Sequence, residues 1–257
     1  MAGLPEPSSP ELRVYLLLED LQPQFAAYLG TPTRARGYPP YAGQHALIIE
    51  VAPGLAIERV TDLALRSEPA IEPGILFVER QFGVLEVHAD DLAGVNRAGR
   101  AILDGIGARA EDQLRPTILY HDVIEEVTDQ HAVIINRNRQ ASMLLPGDSL
   151  LVFEMTPALF AAMAANEAEK AAPEVTLVDV QMIGAAGRVY MGGPTDAVNR
   201  AREAIGRAMM GVRGRAQEGA AKPAGEPGRS PERPAKSARA AKAVAPGKST
   251  TKGGARG

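Results

Sequence analysis

What most constrains this chain of 257 residues is that it repeats itself. "VNRAGRAI" from Val95 returns as "VNRAREAI" from Val198, and Glu50-Val51-Ala52-Pro53 returns as Glu154-Met155-Thr156-Pro157. Leu12-Arg13 and Leu114-Arg115 read as the openings of the two copies, and Asp20 is matched to Asp122, so the spacing runs from 102 to 104 residues. A period of that length is a domain rather than a solenoid unit. The chain therefore divides into a flexible N-terminus (1–11), two homologous domains (12–112 and 113–210) joined near Asp112, and a tail (211–257).

Each copy follows the same local grammar. Apolar runs starting at Leu12 and Gln44 predict strands, and Pro53 sits where a helix can begin, in the first turn that proline tolerates. Leu55, Ile57, Val60, Leu63 and Ala64 then recur at helical spacing. "AIEPGILFVER" and "GVLEVHA" predict two strands around a turn near Gln81 to Gly83. A helix follows, with Asp90 or Asp91 as its N-cap and Val95, Ala98, Ile102 and Leu103 inward. In the second copy "SLLVFEM" is a strand, Thr156 and Pro157 open a helix, "VTLVDVQM" and "RVYMGG" flank "IGAAG", and Pro194 starts the last helix. Two rounds of this order imply an α+β sheet with helices packed on it.

Composition removes several classes of function. With no cysteine there is no disulfide framework, thiolate metal site or cysteine nucleophile. His45, His88, His121 and His131 lack metal-pair spacing, so no metal or cofactor is expected. "GIGARA" from Gly105 follows a helix rather than a strand, and "GKST" from Gly247 lacks the first glycine of a phosphate loop. Glu50 and Glu154 form an apparent carboxylate pair, but positions kept between copies serve a shared fold, so the chain is not read as an enzyme. No stretch approaches the ~20 apolar residues of a membrane helix. The N-terminus has neither the basic region nor the apolar run of a secretory leader. The expected placement is the cytoplasm.

The formal charge of −3 is an average of unlike parts. Residues 211–257 hold 11 Lys plus Arg and 3 acids, a net of +8, while the preceding 210 hold 17 and 28, a net of −11. The tail is rich in Ala, Gly, Pro and Lys and reads as disordered. It acts as a solubilising extension or as a basic arm for an acidic partner. The acidic body argues against nucleic acid as that partner.

One local contrast remains. "VERQFG" from Val78 puts Glu79 and Arg80 side by side at a strand end, and the matching segment of the second copy is the nearly bare "IGAAG" from Ile183. The chain also resembles a known family along most of residues 12 to 206. "LQPQFAAYLG", "EVAPGLAIERVTDLAL", "VERQFGVLEVH", "INRNRQASMLLPGDSLLVFE", "AANEAEKAA" and "GRVYMGG" are similar, in order and spacing, to tandem-domain bacterial microcompartment shell proteins of the permuted, double-layered type.

That resemblance implies two circularly permuted, ferredoxin-like shell domains. Three chains would form a pseudohexameric tile, two tiles would stack face to face, and hexameric and pentameric shell proteins would be partners. Metabolites would pass a central pore gated by Glu79 and Arg80 and lined by Gln81, Phe82, Gly83, Ile183, Gly184, Ala185, Ala186 and Gly187. It further implies that Lys170, and by the repeat Arg66, lie at the tile edge. The alternative reading of the paired domains is a small-molecule sensor.

Overall fold

The computed structural model describes residues 9–31 and 37–217. Strands Glu11–Leu18 (β1), His45–Ala52 (β2), Glu72–Glu79 (β3) and Phe82–Ala89 (β4) form an antiparallel sheet in the order β1-β2-β4-β3. Strands Thr117–Ile124 (β5), Ser149–Thr156 (β6), Thr176–Gln181 (β7) and Gly187–Gly193 (β8) repeat the order as β5-β6-β8-β7. The helices are Pro23–Leu29 (α1), Ile57–Ser67 (α2), Leu92–Ile106 (α3), Asp129–Asn138 (α4), Phe160–Ala171 (α5) and Thr195–Gly211 (α6).

Leu47, Ile49 and Val51 of β2 pack against Ile57 and Val60 of α2 and Val95 and Ile102 of α3. The alternate residues Ala46 and Ile48 face the other way, into a cluster with Phe25 of α1. Because β2 is buried on both faces, it reads as an apolar run that only Glu50 interrupts after His45. In the second repeat Leu151, Phe153 and Met155 of β6 meet α5 and α6, while Leu150 on the opposite face packs with Leu144 and Ala132. Asp91 caps α3 through Ala93 N and Gly94 N, each at 3.0 Å, and Gly107 closes that helix at φ 69°.

The hydrogen-bond register corrects the sequence-based alignment of the copies. Leu12 pairs with Val51 and Ile118 with Met155, so the position matching Leu12 is Ile118, not Leu114. Leu114 instead belongs to the linker, donating its amide to Arg13 O at 2.9 Å. Asp20 likewise corresponds to Glu126 rather than Asp122, and both adopt a left-handed backbone, φ 59° and 48°. The matching bonds Leu21 N to Gln44 O and Val127 N to Asp148 O fix this register. The opening strands are thus 106 residues apart and the rest about 104, because the second repeat has a shorter loop before its second strand.

Other expectations shift as well. Pro53 and Pro157 precede the helices rather than sit inside them: Gly54–Ala56 is a 3-10 turn, and α2 starts at Ile57 and α5 at Phe160. Leu55, the first residue of that helical run, is exposed on the turn. Thr156 provides no cap and Pro194 is the residue before α6. The tail does not begin at residue 211. Arg215 donates to Gln113 O and accepts from Arg115 N, and Gln217 Nε2 reaches Thr156 O at 2.7 Å. The rest of the expected tail, and most of the expected N-terminal segment, lie outside the described residues.

α1 and α4 escape the sequence reading, and α1 makes the main joint between the repeats. It lies on α5, and the Glu169 carboxylate accepts from Gln24 N at 2.8 Å and Phe25 N at 3.0 Å. Asn166 Oδ1 accepts from Gln22 N at 2.9 Å, and the Gln24 side chain bridges Val175 O and Leu177 N. Tyr28 donates its hydroxyl to Val180 O. The first amides of a helix lack partners within it, so a carboxylate from the other repeat satisfies them. Glu169→Ala leaves two buried amides unpaired and is expected to lower stability by about 3 kcal/mol, with Glu169→Gln costing less. Urea unfolding followed by circular dichroism measures both.

Candidate pore loops

β3 and β4 are joined by a two-residue turn, Arg80 and Gln81, because Glu79 pairs with Phe82 and Val78 with Gly83. The turn is therefore one to two residues earlier than the sequence suggests. Arg80 is exposed and left-handed, φ 50°. In the second repeat the matching register places Gly184 at the position of Arg80, and its φ is 130°. Both loops ask for positive φ at the same point, and only the second meets the demand with glycine.

The base of each loop is pinned against the start of a helix. A Cβ on Gly83 would lie 2.2 Å from Gly54 O, and one on Gly187 would lie 2.2 Å from Ala158 O. These two glycines occupy matching positions, so the close approach of strand to helix entry is common to both repeats. Gln81 is exposed and Phe82 half-buried. In the second loop Gly184 and Ala185 are exposed and Ile183 and Ala186 half-buried.

A carboxylate stands behind each loop, buried in the first repeat and half-buried in the second. In the first repeat Glu50 accepts from Arg13 Nε at 2.8 Å, and the Arg13 guanidinium lies 3.7 Å from the centre of the Phe82 ring. Burial pushes the Glu50 carboxyl up, and the bond and charge of Arg13 pull it back down. In the second repeat Glu154 accepts from Arg188 at 2.8 Å, and Arg188 also reaches Gln181 Oε1 at 3.1 Å. The sequence reading assigned Glu50 and Glu154 to the shared fold but missed their arginines, which come from different strands, β1 and β8. The retained glutamates were the available signal. Their partners were not, because they occupy unmatched positions.

The other candidates are dispersed. His45 Nδ1 accepts from Asp20 N at 3.2 Å, buried His88 lies against Glu86 at 3.0 Å, and His121 stacks on Phe153. Among the described residues no cluster of three or more His, Cys, Asp or Glu is placed to hold a metal ion. No described helix is long and apolar enough to cross a membrane. Lys170, near the end of α5, donates to Glu19 O at 2.9 Å and lies 3.4 Å from Glu167. Arg66, at the matching place on α2, is largely exposed and pairs with Asp62 at 2.7 Å.

Two sheet-and-helix repeats with the same strand order in one chain, each with a pinned hairpin loop, define a tandem-domain fold. The family model described as "CsoS1D N-terminal domain" matches residues 12–112. The carboxysome shell protein CcmP of Synechococcus elongatus is 40% identical over 210 residues, covering 81% of this chain and 96% of that protein. The carboxysome shell protein CsoS1D of Hydrogenovibrio crunogenus is 43% identical over 202 residues, 77% of this chain and 97% of that one. Among solved structures, the double-ringed trimeric shell protein MSM0271 of the RMM microcompartment is 66% identical with a TM-score of 0.78, covering 81% of this chain and 100% of that one. The fused permuted hexameric shell protein MSM0275 of the same compartment is 48% identical with a TM-score of 0.74, over 78% and 96% of the two chains.

The chain belongs to the bacterial microcompartment shell proteins of the carboxysome CcmP and CsoS1D type. It is a structural shell component rather than an enzyme, and this replaces the alternative reading as a sensor. The pinned glycines give a direct check on the loop frame. Gly83→Ala and Gly187→Ala each force a methyl group into a backbone carbonyl and are expected to cost about 2–3 kcal/mol, in the range of overpacked cores. Denaturant midpoints measure this, with Ala185→Gly, at an exposed loop position, as the control.

Proposed function

We propose that three copies form a pseudohexameric tile whose central pore is lined by the two loop types and gated by Glu79 and Arg80. The observation that carries this reading is the contrast at one shared backbone position: Arg80 in the first repeat, Gly184 in the second. Around a threefold axis the charged and bare loops alternate. Gln81, Phe82 and Gly83 from one loop, and Ile183 to Gly187 from the other, supply the rest of the lining. Metabolites pass when the loops part, and selectivity follows from pore width and from the three-fold charge.

Side by side on one extended segment, Glu79 and Arg80 would point to opposite sides. Glu79 ends a strand, but Arg80 is left-handed. A non-glycine residue there costs about 1–2 kcal/mol. A rearrangement that returns Arg80 to negative φ recovers that cost while moving its guanidinium, so two loop states lie close in energy. Exposed ion pairs contribute ~0–1 kcal/mol each, which keeps closure reversible.

Glu79→Ala and Arg80→Ala are each expected to move the ratio of closed to open pores by about fivefold, the equivalent of about 1 kcal/mol. Classification of single particles in cryo-electron micrographs measures the ratio. An unchanged ratio in both variants removes the gate.

Lys170 and Arg66 are proposed as tile-edge residues, where cations near a helix C-terminus are also locally favoured. The proposed partners at that edge are hexameric and pentameric shell proteins, and face-to-face stacking of two tiles would enclose a chamber. The double variant Lys170→Ala/Arg66→Ala is expected to remain a discrete oligomer in solution while failing to form extended sheets under negative stain. Normal sheets from that variant discard the edge role.

A further inference from the structure

The loop that carries Glu79 and Arg80 is held at its stem by a contact that its counterpart lacks. Phe82 closes the two-residue turn, pairing with Glu79 across it. Arg13 Cζ lies 3.7 Å from the centre of the Phe82 ring. Arg13 is itself tethered, because its Nε donates to Glu50 Oε1 at 2.8 Å and Glu50 is 4% exposed. Swinging the arginine away would leave a buried carboxylate without its cation, which opposes the movement.

The backbone of Arg13 is fixed as well. It occupies a bulge in β1, where the register shifts between Leu12 and Val14, and a bulge re-aims the side chain it carries. Arg13 O accepts from Leu114 N at 2.9 Å, and Tyr15 N donates to Gln113 Oε1 at 2.9 Å. On the other side of the stem, a Cβ on Gly54 would lie 2.8 Å from Val78 Cγ1 and 3.1 Å from Phe82 O. The stem therefore runs between the arginine of β1 and the 3-10 turn before α2, while Arg80 and Gln81 are exposed at the tip.

The second repeat keeps the frame and drops the clamp. Its bulge lies between Ile118 and Tyr120, but Leu119 stands in the place of Arg13. Ala186 stands in the place of Phe82, since Gly83 and Gly187 match. Glu154 takes its cation from Arg188, whose guanidinium turns to Gln181 rather than to a ring. This hairpin closes in the same strand order without an aromatic clamp, so the sheet does not require one. The clamp goes with the loop that has a charged tip.

We propose that Arg13 is a positioning residue of the pore gate: by gripping the Phe82 ring it fixes the stem of the β3–β4 loop and confines opening and closing to the tip. This rests on the reading of that loop as a gate and adds the residue that sets where the loop bends. With the stem fixed, the tip moves through the backbone angles of Arg80 and Gln81, and few arrangements of two residues close a hairpin. With the ring released, Phe82 joins the moving part and the balance between the loop states changes. Arginine suits the task because its planar face lies on an aromatic ring while its edge keeps a carboxylate.

The chain has no tryptophan, so Phe82→Trp installs a single fluorophore at the clamp. In the full chain this variant is compared with and without Arg13→Leu/Glu50→Gln, which brings in the leucine of the second repeat and leaves no buried carboxylate unpaired. Loss of Arg13 is expected to raise the amplitude of the fast, nanosecond decay of indole anisotropy about twofold. On the chain that keeps Phe82, Arg13→Leu/Glu50→Gln is expected to shift the closed-to-open ratio in cryo-electron micrographs about threefold. Phe82→Ala, which leaves the ion pair intact, is expected to shift it equally, and the combination no further, because the two residues act through one contact. An indole that is equally still without Arg13 overturns the clamp. A ratio that moves with Glu79→Ala but not with Arg13→Leu/Glu50→Gln or Phe82→Ala overturns the positioning role and leaves the gate standing. A ratio that none of these variants moves overturns the gate and the positioning role together.

Discussion

A carboxylate taken out of water must find donors, and Glu169, 4% exposed, finds two amides at the start of α1. Those amides belong to the other repeat, so the bond satisfies a helix end and fixes two halves of the chain against each other at once. The rest of the interface is shaped around it. α5 has its own sheet on one side, α6 alongside and α1 across the top, and such a helix keeps only a narrow solvent face, at Met163, Glu167 and Lys170. Its sequence, "FAAMAANEAEKA", answers with alanine, which combines the highest helix propensity with the smallest side chain able to pack. The low aromatic content of the chain follows from the same geometry, since layers this close leave little room for rings.

The two repeats share their frame and differ in the side chains that fill it. Glu50 and Glu154 occupy the same position on β2 and β6. In the first repeat the arginine comes from β1 and stacks on Phe82. In the second the place of Arg13 is taken by Leu119 and the cation comes from β8, at the position of Val84. The carboxylate is constant and its partner has moved from one neighbouring strand to the other. One loop thereby gains an aromatic base held by a guanidinium and the other gains a polar base, without any change in strand order.

Much of this was legible in the chain itself. Strands β2 and β6 announce themselves as apolar runs bounded by turn residues, Asp91 marks the start of α3, and the return of "VNRA" gives away the duplication. What stayed hidden has physical reasons. α1 is seven residues long and nearly apolar throughout, because it is buried on the face toward its own sheet and again on the face toward α5, so it shows no amphipathic period. α4 shows Val133 and Ile134 outward, which defeats a reading that places apolar residues inside. The Leu-Arg dipeptide at Leu114 matched the start of β1 by composition, while its backbone serves as a linker hydrogen-bonded to Arg13. Glu79 and Arg80, proposed for the gate, were singled out by likeness to a family and by contrast between repeats. Arg13 and Arg188 were not, because a cation recruited from a different strand in each repeat leaves no repeated letter.

The left-handed turn carries the last step. Asp20 and Glu126 adopt positive φ at matching positions in both repeats, so that backbone demand belongs to the frame. At Arg80 and Gly184 the demand is again shared, but one repeat meets it with the residue that bears no strain and the other with a bulky cation. Glycine at both positions would give the same hairpin at lower cost. A chain that keeps arginine there gives up about 1 kcal/mol of local stability per copy for a charge at the tip of a loop. On the proposed axis the same charge would also face the permeating solute and the neighbouring loops.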